Sequence, residues 1–111
     1  MIHTRENHWI VASTVCCCTQ EVRIYDSLFT TVDSTTSLLL KQVFEERVKI
    51  AVGTSPRQEG IHDCGVHAIA VSTALACGVL PESIKFNQPS MRHHLIKCFE
   101  QSELTQFPVL P

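Results

Sequence analysis

Basic charge is the first thing this chain lacks. Nine lysines and arginines stand against eleven aspartates and glutamates, a formal net charge of −2 and a pI of about 6.3. Nothing in that balance would neutralise phosphates, so nucleic acid and anionic membrane surfaces are not expected partners. No apolar run approaches the roughly 20 residues of a membrane-spanning helix. Repeats, low-complexity tracts and an obvious linker are also missing. Among six cysteines there is no C-x-x-C pair, which excludes the usual spacings of structural zinc. Cys16, Cys17 and Cys18 are adjacent, and neighbouring cysteines rarely bridge one another. Cys64, Cys77 and Cys98 lie in apolar or helical contexts, as small core residues do. The pattern reads as reduced thiols in an intracellular protein, nuclear or cytoplasmic.

What is present suits a core. Hydrophobic residues make up 44% and charged residues 18% of the chain, outside the range of disordered segments. The 111 residues make one domain, residues 1–111. Near the start, "WIVASTVCCC" has the length of a signal-peptide apolar region. Its flank "IHTRENH" carries Glu6 in place of a clean basic segment, and Ser13 and Thr14 interrupt the run. A buried strand fits better.

"HWIVASTVCC" is expected to be that strand, with the Cys16–Cys18 run at its end. "EVRIYDSL" alternates, Val22 and Ile24 on one face and Arg23 and Tyr25 on the other, and a turn at Thr19-Gln20 joins the two as a hairpin. "DSTTSLLLKQVFEER" reads as a helix capped near Asp33, with Leu38, Leu39 and Val43 as its apolar face. "VKIAVG" is a third strand, and "TSPRQEGIHD" a loop punctuated by Pro56 and Gly60. "CGVHAIAVSTALACG" has small or apolar residues all round, the mark of a buried helix, and Gly78 suits its C-terminal cap. "QPSMRHHLIKCFEQ" is a last helix, with Pro89 in its first turn and Met91, Leu95, Ile96 and Phe99 as its apolar face. The sum is an α+β fold: a small, mostly antiparallel sheet packed on a buried central helix.

One thiol stands apart. Cys64 lies between Asp63 and Gly65 at the start of the buried helix. A nucleophilic cysteine acts as the thiolate, which a helix N-terminus and a neighbouring imidazolium both favour. The imidazole in turn needs an orienting acceptor. His8 starts the first strand and Asp26 closes the second, and in a hairpin those ends lie side by side. With the N-terminus of the buried helix at the same edge, Cys64 completes a triad. An oxyanion needs donors, and Gln58, in the loop leading to Cys64, offers its amide beside the Cys64 backbone N–H. Gly60 and Gly65 allow close approach. Asp63 is too near Cys64 in sequence to orient His8 and is read as a helix cap. His62-x-Cys64-x-x-His67 fits no common zinc spacing, so no metal site is assigned.

"HWIV", "IYDSL" and "RQEGIHDCGVHAIA" resemble the three motif blocks of the SUMO-protease family, cysteine peptidases that act on ubiquitin-like proteins. The blocks occur in family order, and the likeness runs from about residue 3 to about residue 100. The resemblance implies a cysteine-proteinase-like fold with the nucleophile at the N-terminus of the central helix. It implies a catalytic His8, a catalytic Asp26, the nucleophile Cys64 and the oxyanion donor Gln58. Trp9 would match the family tryptophan that shields the pair, and Trp9 and Gly65 would line the substrate path. Substrates would be ubiquitin-like modifiers and their conjugates, and no cofactor is called for. His67 departs from the pattern, since members often have an aromatic residue there. The short stretch before His8 suggests an N-terminally truncated catalytic domain. The alternative is a decayed protease fragment that binds a ubiquitin-like protein without cleaving it.

Overall fold

β-Branched and aromatic residues form the strands where the sequence puts them. β2 (His8–Ser13) and β3 (Glu21–Tyr25) pair antiparallel, with Val11 opposite Tyr25 and Ser13 opposite Arg23. Gln20, in the turn between them, has a left-handed φ of 62°. The computed structural model describes every residue except Cys16 and Cys18. The expectation for the cysteine run therefore lies, for those two, outside the described residues; β2 itself ends at Ser13.

A strand that the sequence reading did not assign precedes this hairpin. β1 (Ile2–Thr4) pairs antiparallel with β2, Ile2 opposite Ile10 and Thr4 opposite His8. Arg5, Glu6 and Asn7 make the reversal with φ values of 44°, 50° and 91°. β4 (Lys49–Val52) runs parallel to β3, Glu21 opposite Lys49. Parallel neighbours need a crossover, and α1 (Ser34–Val43) supplies it. The sheet order is β1-β2-β3-β4, with two antiparallel pairings and one parallel, so it is mostly antiparallel as expected.

Both faces of the sheet are covered, because successive strand residues point to opposite sides. Ile10, Val22 and Ile24 meet Leu40 of α1 and Val48. Val11 and Tyr25 meet α2 (Cys64–Ala76), joined by Met91 and Phe107. In α2, Ala68, Ala70 and Ala74 are almost fully buried, and their small size lets the helix sit close to the sheet. A Schellman motif ends it: Gly78 has φ 78°, its N–H donates to Leu75 O, and the Val79 N–H donates to Ala74 O.

The two outer helices turn different faces inward than the sequence suggests. In α1 the buried residues are Thr36 and Leu40; Leu38, Leu39 and Val43 are exposed. The cause is polar. The Asp33 carboxylate takes the Thr36 hydroxyl and, at 3.0 Å, that of Thr4, while the two hydroxyls lie 2.8 Å apart. That knot ties the Thr36 side to β1, and Leu40, one turn on, follows it to the sheet. In α3 (Gln88–Gln101), Met91 and Cys98 are buried with Leu95 packed beside the core, while Ile96 and Phe99 are exposed. Cys77 is exposed too, so of the two cysteines expected in the core only Cys98 is there. Among the described residues no helix is long and apolar enough to cross a membrane.

Candidate active site

Asp26 follows β3 directly, and its side chain folds back on its own turn. Oδ1 accepts the backbone N–H groups of Leu28 and Phe29, both at 2.9 Å, the local bonding that suits Asp to turns. The same oxygen lies 2.7 Å from His8 Nε2. An oxygen already taking two N–H groups is an acceptor, so Nε2 is the donor and Nδ1 is left as the basic atom of the ring. Both residues are buried. The Phe29 ring stands edge-on to the imidazole at 5.1 Å, and Arg5 lies over that ring at 4.1 Å. Phe29 is a neighbour of His8 that the sequence reading did not name. The aromatic partner of Trp9 is His3, centroids 4.8 Å apart.

Cys64 opens α2 and is buried. Its thiol donates to the carbonyl oxygen of Asn7 at 3.6 Å, the residue immediately before His8. The left-handed turn that ends at Asn7 thus brings the start of β2 against the start of α2. Gly65 comes under Trp9, where an added Cβ would meet Trp9 Cδ1 at 3.6 Å, ordinary contact. The end of β3, the start of β2 and the N-terminus of α2 therefore share one edge, and at it the structure pairs His8 with Asp26.

Gln58 reaches this edge through the Asp26 turn. Its backbone N–H donates to Ser27 O at 3.0 Å. Its Oε1 accepts the Ser27 hydroxyl at 2.5 Å, and its Nε2 donates to Gly60 O at 3.0 Å. Arg57 adds bonds to the carbonyls of Asp26 (3.1 Å) and Leu28.

Asp63 does not cap α2 with its side chain. Its Oδ1 is taken instead by two guanidinium nitrogens of Arg92, Nε (2.9 Å) and Nη2 (2.5 Å), and its Oδ2 by Gln88 Nε2 (2.9 Å), charge-assisted bonds that outcompete a helix N–H. Burial alone would raise this carboxyl, but the bonds from Arg92 and Gln88 outweigh it and hold it below its ordinary value. Gln88 also bonds both the N–H and the C=O of Glu59 at 2.7 Å, so α3 clamps the loop before Cys64. Neither Arg92 nor Gln88 was singled out from the sequence.

His67 is buried, and its Nδ1 donates to the Asp63 carbonyl at 3.1 Å. Its ring meets Phe86 edge-on. Burial pushes its pKa below the ordinary value, with the Asp63 carbonyl bond a smaller opposing effect. Among the described residues no group of three or more His, Cys, Asp or Glu side chains could hold a metal ion.

A thiol at a helix N-terminus, hydrogen-bonded to the residue before a buried imidazole–carboxylate pair, fits acyl-transfer chemistry. Sequence comparison agrees with that chemistry: residues 1–104 match the model of the Ulp1 protease family, C-terminal catalytic domain. The chain belongs to the Ulp1 protease family, cysteine peptidases that act on ubiquitin-like proteins. No curated protein and no solved structure matches it.

Proposed function

We propose that the chain hydrolyses the bond after the C-terminal residue of a ubiquitin-like modifier (SUMO, ubiquitin or a relative), using His8, Asp26, Cys64 and Gln58. The observation that carries this reading is the 2.7 Å bond from His8 Nε2 to Asp26 Oδ1, at a histidine whose preceding residue, Asn7, accepts the Cys64 thiol on its carbonyl. His8 Nδ1 takes the thiol proton as Cys64 turns from the Asn7 carbonyl, since catalytic bonds tighten only in the substrate complex. The thiolate adds to the carbonyl carbon, and the oxyanion takes the Cys64 backbone N–H and a Gln58 Nε2–H. The tetrahedral intermediate collapses with cleavage of the C–N bond, and His8 hands its proton to the departing amine. A water molecule, deprotonated by His8, then attacks the thioester. The modifier leaves as a free carboxylate and the thiol is restored. Asp26 holds the imidazole in one tautomer throughout. Trp9 and Gly65 flank the path of the modifier tail. A precursor peptide bond and a lysine isopeptide bond present the same carbonyl, so both are substrates in chemistry. Thiols at Cys64 and Cys98 fit work in a reducing nuclear or cytoplasmic compartment.

The test is a panel of ubiquitin-like modifiers, SUMO and ubiquitin among them, each carrying a C-terminal electrophile. The expected outcome is a covalent adduct on Cys64 with at least one modifier, lost in Cys64→Ala; the modifier that reacts fastest identifies the substrate. Binding of a modifier with no adduct from any probe would replace this reading with the non-catalytic one.

A further inference from the structure

Ser27 has no part in the chemistry above, yet it grips the oxyanion loop at Gln58 itself. It sits next to Asp26 and is nearly fully buried. Its carbonyl accepts the Gln58 backbone N–H at 3.0 Å and its hydroxyl meets Gln58 Oε1 at 2.5 Å. A carboxamide has almost the same shape when flipped, but the flip exchanges a donor for an acceptor. Two contacts hold the amide of Gln58. Gly60 O can only accept, so the 3.0 Å contact there must come from Nε2. The Ser27 hydroxyl can donate or accept, and with Oε1 facing it, it donates. Gly60 thus sets the sense of the amide, while Ser27 anchors its far end. With both ends held, the second Nε2 proton has one direction open to it.

We propose that Ser27 is the positioning residue of the oxyanion site: its hydroxyl aims the Gln58 carboxamide, and its backbone joins that amide to the turn that orients His8. The inference rests on the reading of Gln58 as oxyanion donor. Without the hydroxyl, the amide pivots on its single bond to Gly60, and the buried Oε1 looks for another donor.

The experiment measures turnover of a modifier bearing a C-terminal fluorogenic amide by Ser27→Ala, Gln58→Ala and the double variant. Ser27→Ala should lower kcat about 3- to 10-fold, the worth of one neutral hydrogen bond, with KM unchanged. Iodoacetamide should label Cys64 at the same rate as in the parent. In the Gln58→Ala background the Ser27 change should cost less than about twofold, because no amide is left to aim. An equal loss in both backgrounds, or slower labelling of Cys64, would make Ser27 a structural residue and overturn the proposal. If Ser27→Ala does not fold, Ser27→Thr and Ser27→Val share one shape and differ in the hydroxyl. Thr ahead of Val by the same factor supports the proposal, and equal rates overturn it. No effect of Gln58→Ala on turnover would instead remove the oxyanion reading itself.

Discussion

Two loops carry the candidate site, and their carboxylates are held in opposite ways. The Asp26 carboxylate is held largely within its own turn, where Oδ1 takes N–H groups two and three residues on, while the carbonyls of that turn also accept Arg57 and the Gln58 N–H. The loop over residues 57–63 is held mainly from outside: by Ser27, 31 residues from Gln58, by Gln88, 29 residues from Glu59 and 25 from Asp63, and by Arg92, 29 residues from Asp63. Local bonds form with the turn and cost little further ordering. Distant ones exist only once the sheet and α3 are packed around the loop. The carboxylate that orients the base is therefore fixed largely within its own turn, and the group assigned to the oxyanion sits on a loop held from a distance.

The sharpest break is at Asp26. Asp26→Ala removes the acceptor for His8 and for both N–H groups at once, and turnover should fall by about 10³–10⁴-fold, the scale seen when an orienting group is lost. Asp26→Asn keeps an oxygen that the two N–H groups can hold in place but loses the negative charge beside the imidazole, and its loss should be comparable to that of Ala. If Asn keeps most of the activity, the turn's geometry and not charge is what Asp26 supplies. Steady-state kinetics on both variants decides this.

Gln58→Ala comes next. Turnover should fall by about 10²–10³-fold, the usual cost of one oxyanion donor, while small alkylators still react with Cys64 at the parent rate. Equal loss in the two assays would mean that Gln58 shapes the loop and does not meet the intermediate.

The same contrast explains how much could be read from the sequence. The pairing of His8 with Asp26 was legible because a hairpin places strand ends by simple counting, and the place of Cys64 at the head of α2 because of its short motif with the turn glycines. The positions of α2 and α3 were legible from their apolar content and their Gly and Pro punctuation. Everything set by distant polar contacts was not. The Leu38-Leu39-Val43 face of α1 lost to a hydroxyl knot between Thr4, Asp33 and Thr36. The capping role of Asp63 lost to a guanidinium that arrives from α3. Strand β1 is too short, at three residues, to carry a period-two signal of its own.

Arg92→Ala tests the outside clamp alone. Arg92 is largely exposed while Asp63 is partly covered, so the global stability change should stay within about 1 kcal/mol. Hydrogen exchange should nevertheless quicken at residues 59–63 and leave residues 26–29 as protected as before. Loosening of both loops together would show that they form one unit. The carboxyl of Asp63 is held below its ordinary value, so its contribution is complete above the unfolded value of about 3.9 and is lost as pH falls through the folded one. That acid-side loss should shrink in Arg92→Ala.

The smallest effect belongs to His67, one turn into α2 from the thiol. Burial holds its pKa below the ordinary 6.5. As pH falls through that value, the unfolded chain takes up the proton first and the folded one later, so stability declines from about pH 6.5 downward until the folded group also titrates. His67→Phe puts an apolar ring in the same buried place, against Phe86. The Asp63 carbonyl is not orphaned by the change, because the backbone N–H of residue 67 also donates to it, at 2.9 Å. Urea melts at pH 7.5, 6.5 and 5.5 should therefore show a shallower fall in the Phe variant than in the parent. Cys64 alkylation at pH 7.5 should hardly change, since this imidazole faces the Asp63 carbonyl and the core. A parallel fall in both proteins would mean that the acid sensitivity lies in other groups. Slower alkylation in His67→Phe would mean that the imidazole reaches the thiol through the first turn of α2, and that the self-held and clamped loops are not the only supports of the nucleophile.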